Sequence, residues 1–215
     1  MTYSLVFNVA GDCRYAGRSD AIGAAACVRN RRAQGWDVEE MTIPPHPTPT
    51  RRRANLAAVI LALCWAVDTC KTQKAVPAAR RHKVLIRSDS PATVAAVERW
   101  LFSDDNGDDA VGPAADRDLL YHVGRLHRML GALDCVTRYA VVEREANVLA
   151  AVLAAGALDR EDEGRRRLAQ ARLERAREAL EKKLAEEGRN EEAEALERDI
   201  VKAFAEMEAG VAEGI

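Results

Sequence analysis

The sequence predicts an α/β domain built on a five-stranded mixed sheet, followed by a separate helical segment. Three features carry this reading. Three strand-like segments come in succession before any helical one, and strands and helices alternate after Thr50. Past Ala157 the texture changes to residues that are almost all Glu, Arg, Ala, Leu and Lys.

Taken in order, Ser4 to Val9 is a strand that Gly11 is expected to close, and Ala21 to Asn30 is a second strand of small residues. Trp36 to Ile43 alternates apolar and polar residues and reads as a third, antiparallel to its neighbour. The run Pro44 to Pro49 is an extended connector, since four prolines exclude helix and central strand. Thr50 then caps a helix whose apolar side is Leu56, Val59, Ile60, Leu63 and Val67. After a polar loop from Lys71 to Ala79, Val84-Leu85-Ile86 forms a strand that runs into Ser88-Asp89-Ser90. Ser90 is a natural N-cap and Pro91 a favoured first helical residue, so the chain turns from strand to helix there. Asp89 thus sits at the carboxyl end of a strand, where open α/β sheets place their functional crevice. An acidic, Gly-containing loop follows from Ser103 to Ala115, then a helix from Arg117 to Leu133, a fifth strand from Cys135 to Val142 and a helix from Glu145 to Ala157.

Residues 158–215 read as a second domain, an α-helical hairpin beside the α/β domain of residues 1–157. Leu168, Leu173, Ala176, Leu180 and Leu184 form one apolar stripe, Gly188-Arg189-Asn190 breaks it, and Leu196, Ile200, Phe204 and Met207 form another. So thin a stripe needs something to pack on. Two occupants stay open: the hairpin's own domain, or another chain bound through 161–209.

Composition narrows the classes. The chain has 215 residues, 48% hydrophobic and 31% charged, with a formal net charge of −2, so no global basic field marks it for nucleic acid. Basic residues cluster locally, at Arg51-Arg52-Arg53 and at Arg80-Arg81-His82-Lys83. The five cysteines lack CxxC spacing and fit a reduced, intracellular compartment better than a disulfide framework or a zinc site. No uninterrupted apolar run approaches the roughly 18 residues of a membrane span, and no signal-peptide core stands at the start, so a membrane partner is not expected.

Five segments in register resemble type 1 ribonuclease H domains of the eukaryotic, especially fungal, kind. Leu5 to Gly17 (LVFNVAGDCRYAG) is similar to the family's first strand, and Thr50 to Leu63 (TRRRANLAAVILAL) to its first helix. Ile86 to Ser90 resembles its fourth strand, which usually ends Thr-Asp-Ser. Asn106-Gly107, Gly112 and Asp116-Arg117-Asp118-Leu119 resemble a following loop, and Arg144 to Ala150 (REANVLA) the last helix. The resemblance covers about 150 residues and implies an RNase H-like five-stranded mixed sheet flanked by helices.

It also implies a chemistry for which residues are lacking. Family members gather four carboxylates that hold two divalent cations roughly 3.5–4 Å apart, one on each side of the scissile phosphate. The matching positions here are Ala10, Asn55, Asp89 and Asn147, so one carboxylate remains where the family has four. An amide oxygen can ligate Mg²⁺ but brings none of the charge that offsets its dehydration. The loop that carries a family histidine is also missing, since Val142-Glu143-Arg144-Glu145 leads straight into the helix. No cofactor is therefore expected, and Mg²⁺ only if activity persists. One substitute is available: Asp12 lies two residues beyond Ala10, ~6.5 Å along a strand, and with Asp89 would make a weak metal pair. The expected end of the strand at Gly11 would turn it away.

Where the family touches its RNA–DNA hybrid, this chain has Arg51 and Arg52. With Arg53, Arg81 and Lys83 these are the candidate nucleic-acid-binding residues. Three functions follow: an inactive ribonuclease H-like scaffold that self-associates or binds a protein through its C-terminal helices, a non-cleaving binder of RNA or RNA–DNA hybrid, or an active nuclease built on Asp89 and Asp12.

Overall fold

In the computed structural model the described residues are 4–31, 35–72, 83–102 and 116–187, with Arg198 and Lys202. The elements are β1 (Ser4–Arg14), β2 (Ile22–Asn30), β3 (Trp36–Ile43), α1 (Arg51–Thr72), β4 (Lys83–Ser88), α2 (Pro91–Phe102), α3 (Arg117–Ala132), β5 (Val136–Val141) and α4 (Val148–Glu187). A 3-10 turn, Arg144–Asn147, leads into α4. The sheet order is β3-β2-β1-β4-β5. The first three strands pair antiparallel, whereas β1–β4 and β4–β5 are parallel, because a helix carries the chain back before each of the last two. This is the mixed five-stranded sheet expected.

Alternation along β1 sends Leu5, Phe7 and Val9 to one face, where they meet Leu56, Val59 and Leu63 of α1 and Val123 of α3 in the main core. At about 1.5–3 kcal/mol for each large side chain removed from water, this layer supplies most of the hydrophobic stabilisation. By length and composition α1 could cross a membrane, contrary to the reading of the sequence, but 61% of that apolar window is buried inside the domain. The core helix of a sheet covered on both sides is apolar nearly all round. On the opposite face, Ala10 and Val28 pack with Ala150, and Ile22 and Ala24 with Ala157 and Leu158 of α4. The small residues of β2 thus have a cause: Ala24, Ala25 and Ala26 are fully buried, with helices on both faces.

The expected caps form. Thr50 Oγ1 accepts the Arg53 N–H at 3.1 Å and Thr50 O the Ala54 N–H at 2.9 Å. Ser90 Oγ lies 2.8 Å from Thr93 Oγ1, and Ser90 O accepts the Thr93 and Val94 N–H groups.

Two expectations fail. Gly11 does not close β1, which pairs with β2 through Arg14↔Ile22. Gly11 is there because α1 lies against the strand: a Cβ at Gly11 would fall 2.1 Å from the carbonyl carbon of Ala54. Nor does the last helix end at Ala157. Nothing between Leu158 and Glu161 breaks a helix, Gly156 and Gly164 cost only about 1 kcal/mol each, and α4 runs on to Glu187. The chain divides into two compact units, Met1–Glu161 and Asp162–Ile215. In the second, Arg166–Asp162, Arg167–Glu163 and Arg177–Glu181 pair one turn apart along α4. Gly188-Arg189-Asn190 and the second apolar stripe lie outside the described residues.

Candidate functional site

Parallel pairing sets Val9 beside Ser88, so Ala10, within β1, and Asp89, just past the end of β4, come next to each other. The second turn of α1 brings Asn55 to this point, and the 3-10 turn before α4 brings Asn147. The four positions singled out in the sequence therefore converge, among four buried or partly buried bonds. Asn55 Oδ1 accepts the Gly11 N–H at 2.9 Å, and its Nδ2 donates to Arg51 O at 3.1 Å. Asn147 Nδ2 donates both to Val9 O and to Asp89 Oδ1, each at 2.9 Å.

These bonds decide what the two amides can do. A backbone carbonyl only accepts, so the bond to Val9 O fixes which end of the Asn147 amide carries the N–H groups. The planar group that aims Nδ2 at Asp89 aims Oδ1 elsewhere, and that buried oxygen meets no hydrogen-bond partner among the described residues. A donor thus occupies one oxygen of Asp89, where a cation would need a lone pair. Asn55 likewise spends its oxygen on the backbone of β1. Ala10 is 4% exposed and packs with Val28 and Ala150. The residues present do not fit a two-cation carboxylate site. Among the described residues, no group of three or more His, Cys, Asp or Glu is placed to hold a metal ion.

Asp12 is better placed than its sequence suggested. Because β1 continues, Asp12 opposes Ala24, shares the face of Ala10 and lines the same cleft as Asp89. Its Oδ1 accepts the Cys13 N–H at 2.9 Å and faces Arg51 Nε at 3.9 Å, an exposed and weak ion pair. The cleft encloses about 670 Å³ between β1, the first turns of α1 and α2, and α4. Arg144, Val148 and Val152 line it as well, none of them singled out in the sequence. Their signal, a position one or two turns around Asn147, has meaning only once the direction of α4 is known.

The candidate nucleic-acid-binding residues part company. Arg51 is exposed at the cleft mouth. Arg52 also lines the cleft, but its Nε lies 2.8 Å from buried Asp116. Arg53 is 3% exposed, and its guanidinium grips Asp118 at 2.9 and 2.7 Å, which corrects its assignment to a binding surface. The bidentate pair holds the Asp118 carboxyl below its usual range, chiefly through hydrogen bonding. Instead of meeting a ligand, the third arginine fastens α1 to α3. Lys83 is exposed at the first residue of β4, roughly 20 Å of strand from Asp89, and lies outside the cleft. Arg81 lies outside the described residues.

No protein-family model and no curated protein matches the sequence at a significant level. Solved structures do match. The RNase H1 of the halophilic archaeon Halobacterium salinarum NRC-1 is similar with a TM-score of 0.50 and 23% identity, over 73% of this chain and 98% of that one. The N-terminal RNase H domain of a Mycobacterium tuberculosis protein, solved as a fusion with maltose-binding protein, has a TM-score of 0.53 and 16% identity, over 76% and 99%. LC11-RNase H1, isolated from compost by a metagenomic approach, gives 0.53 and 17%, over 75% and 99%. The α/β domain is therefore RNase H-like in fold. Chemistry must be argued from the residues it carries.

Proposed function

We propose that this chain is a catalytically inactive RNase H-like module that works by binding rather than cleaving. The observation that carries the reading is the hydrogen bond from Asn147 Nδ2 to Asp89 Oδ1. Two-metal hydrolysis needs anions that repel one another until cations arrive. Here an amide already bonds one oxygen of Asp89, which supports a cleft held together by its own residues. No cofactor is expected, and Mg²⁺ at Asp89 would be weak.

The first candidate partner is a protein or a second copy of the chain, engaged through residues 161–209 in an intracellular setting. Leu168 is 49% exposed on a stretch of α4 whose other residues are mostly charged. A helix of this texture gains most of its stability by packing that stripe on another element. The second reading, docking of RNA or RNA–DNA hybrid without cleavage, is supported by the charge of the cleft. Arg51, Arg52 and Arg144 line it with Asp12 and Asp89, Arg52 being paired also with Asp116, and the positive starts of α1 and α2 both open into it.

Incubating the protein with labelled RNA–DNA hybrid and Mg²⁺ or Mn²⁺, beside Asp89→Ala, tests both readings. The expected result is equal, background cleavage by the two proteins. Metal-dependent cleavage that Asp89→Ala abolishes would restore the active-nuclease reading with Asp12 as second ligand. In the same mixtures, a band shift that weakens steeply with salt supports hybrid docking, and no shift at low salt removes it.

A further inference from the structure

Cys70, near the end of α1, and Cys135, just before β5, stand 65 residues apart in the chain, yet their Sγ atoms are 3.2 Å apart. Both are free thiols and both are buried, at 4% and 7% exposure. Cys135 is held from its own side by the end of α3. Its N–H donates to Leu130 O at 3.0 Å, and Asp134 before it adopts a left-handed φ of 56°. Two anchored sulfurs at this separation are closer than ordinary packed atoms, and a bond of about 2.05 Å requires them to close by only ~1 Å.

We propose that Cys70 and Cys135 form a modification site, a thiol pair that a small peroxide converts into an intramolecular disulfide. In the first step one sulfur, as thiolate, attacks a peroxide oxygen and becomes a sulfenic acid, and the O–O bond breaks to release hydroxide. In the second, the other sulfur attacks the sulfenic sulfur and expels its oxygen as hydroxide. The two thiol protons complete two molecules of water, so hydrogen peroxide is reduced as the two thiols are oxidised. Burial selects a small uncharged oxidant over a bulky disulfide. The resulting bond ties the helical layer to the edge strand β5 and closes a 65-residue loop. It does so whatever the cleft binds.

Burial pushes both thiols above their usual range, Cys70 to about 12. Thiolate is therefore scarce at neutral pH, and oxidation accelerates as pH rises. The exposed Cys64 serves as an internal gauge of peroxide dose.

The full-length protein is treated with hydrogen peroxide at neutral and alkaline pH, alkylated, digested and mapped by mass spectrometry. The expected product is a peptide pair linking Cys70 to Cys135, short of two hydrogens, formed faster at alkaline pH and reversed by dithiothreitol. The oxidised protein should melt higher than the reduced one by on the order of 10 °C, a rise that Cys70→Ser abolishes. The proposal is overturned if, at doses that fully oxidise Cys64, Cys70 and Cys135 stay thiols or become sulfinic acids without a cross-link. Should Cys70→Ser fail to fold, the map of the unmodified sequence decides alone.

Discussion

At Asn147, one amide nitrogen bridges two elements: it holds Val9 of β1 and Asp89 together. Asn147→Asp removes the donor to Val9 O and sets two carboxylates side by side. Chemical denaturation at neutral pH should show a loss of about 1–3 kcal/mol. A stability equal to the parent's would mean that the amide bridge contributes nothing. The Arg53–Asp118 pair makes a prediction about pH. Because the folded carboxyl titrates below its unfolded value of about 3.9, its contribution is present above that value and lost as pH falls through the depressed one. Asp118→Asn should therefore be less stable than the parent at neutral pH, and the two should converge in acid below about pH 4. Melting curves across that range check it; a gap that persists in acid would assign the effect to packing. Of all this, residue identities were legible in the sequence and pairings were not. Asp118 and Arg53 lie 65 positions apart, and no local pattern links them.

Among the elements, the contact between β1 and α1 controls the site. The backbone of Ala54 comes so near Gly11 that no side chain fits between them, and Asn55 reaches the Gly11 N–H because of that approach. Gly11→Ala should cost on the order of 4 kcal/mol or prevent folding, since the obstacle is backbone and cannot swing aside. A stability within about 1 kcal/mol of the parent, measured by urea unfolding, would show that α1 can move away. Reading Gly11 as a strand terminator was reasonable from the sequence, since glycine weakens strands. It is also the residue that permits close approach, and only a neighbouring helix tells the two uses apart.

For the molecule as a whole, the question is what α4 does beyond the domain. If its apolar stripe seats another copy, light scattering should give a mass that is a multiple of 23.6 kDa, falling to that value in Leu168→Glu/Leu173→Glu. A parent protein already at 23.6 kDa across the concentrations tested would exclude self-association and leave a different protein as partner. This outcome is independent of the cleft, because the residues that line the cleft and the stripe that begins at Leu168 share no side chain.

From its own residues the chain determined the element order, the caps at Thr50 and Ser90, the apolar side of α1 and the presence of Ala10, Asn55 and Asn147 at three positions where the resemblance implies carboxylates. Each depends on neighbours within a few positions or on identity at a matched position, which periodicity and composition express directly. Only the tertiary structure decided that Asp12 stays in the strand, that Arg53 is spent on Asp118, that Asn147 donates to Asp89 and that Cys70 meets Cys135. Those facts depend on which distant surfaces share a face and how closely backbones approach. They exist only once the sheet has closed under α1 and met α4.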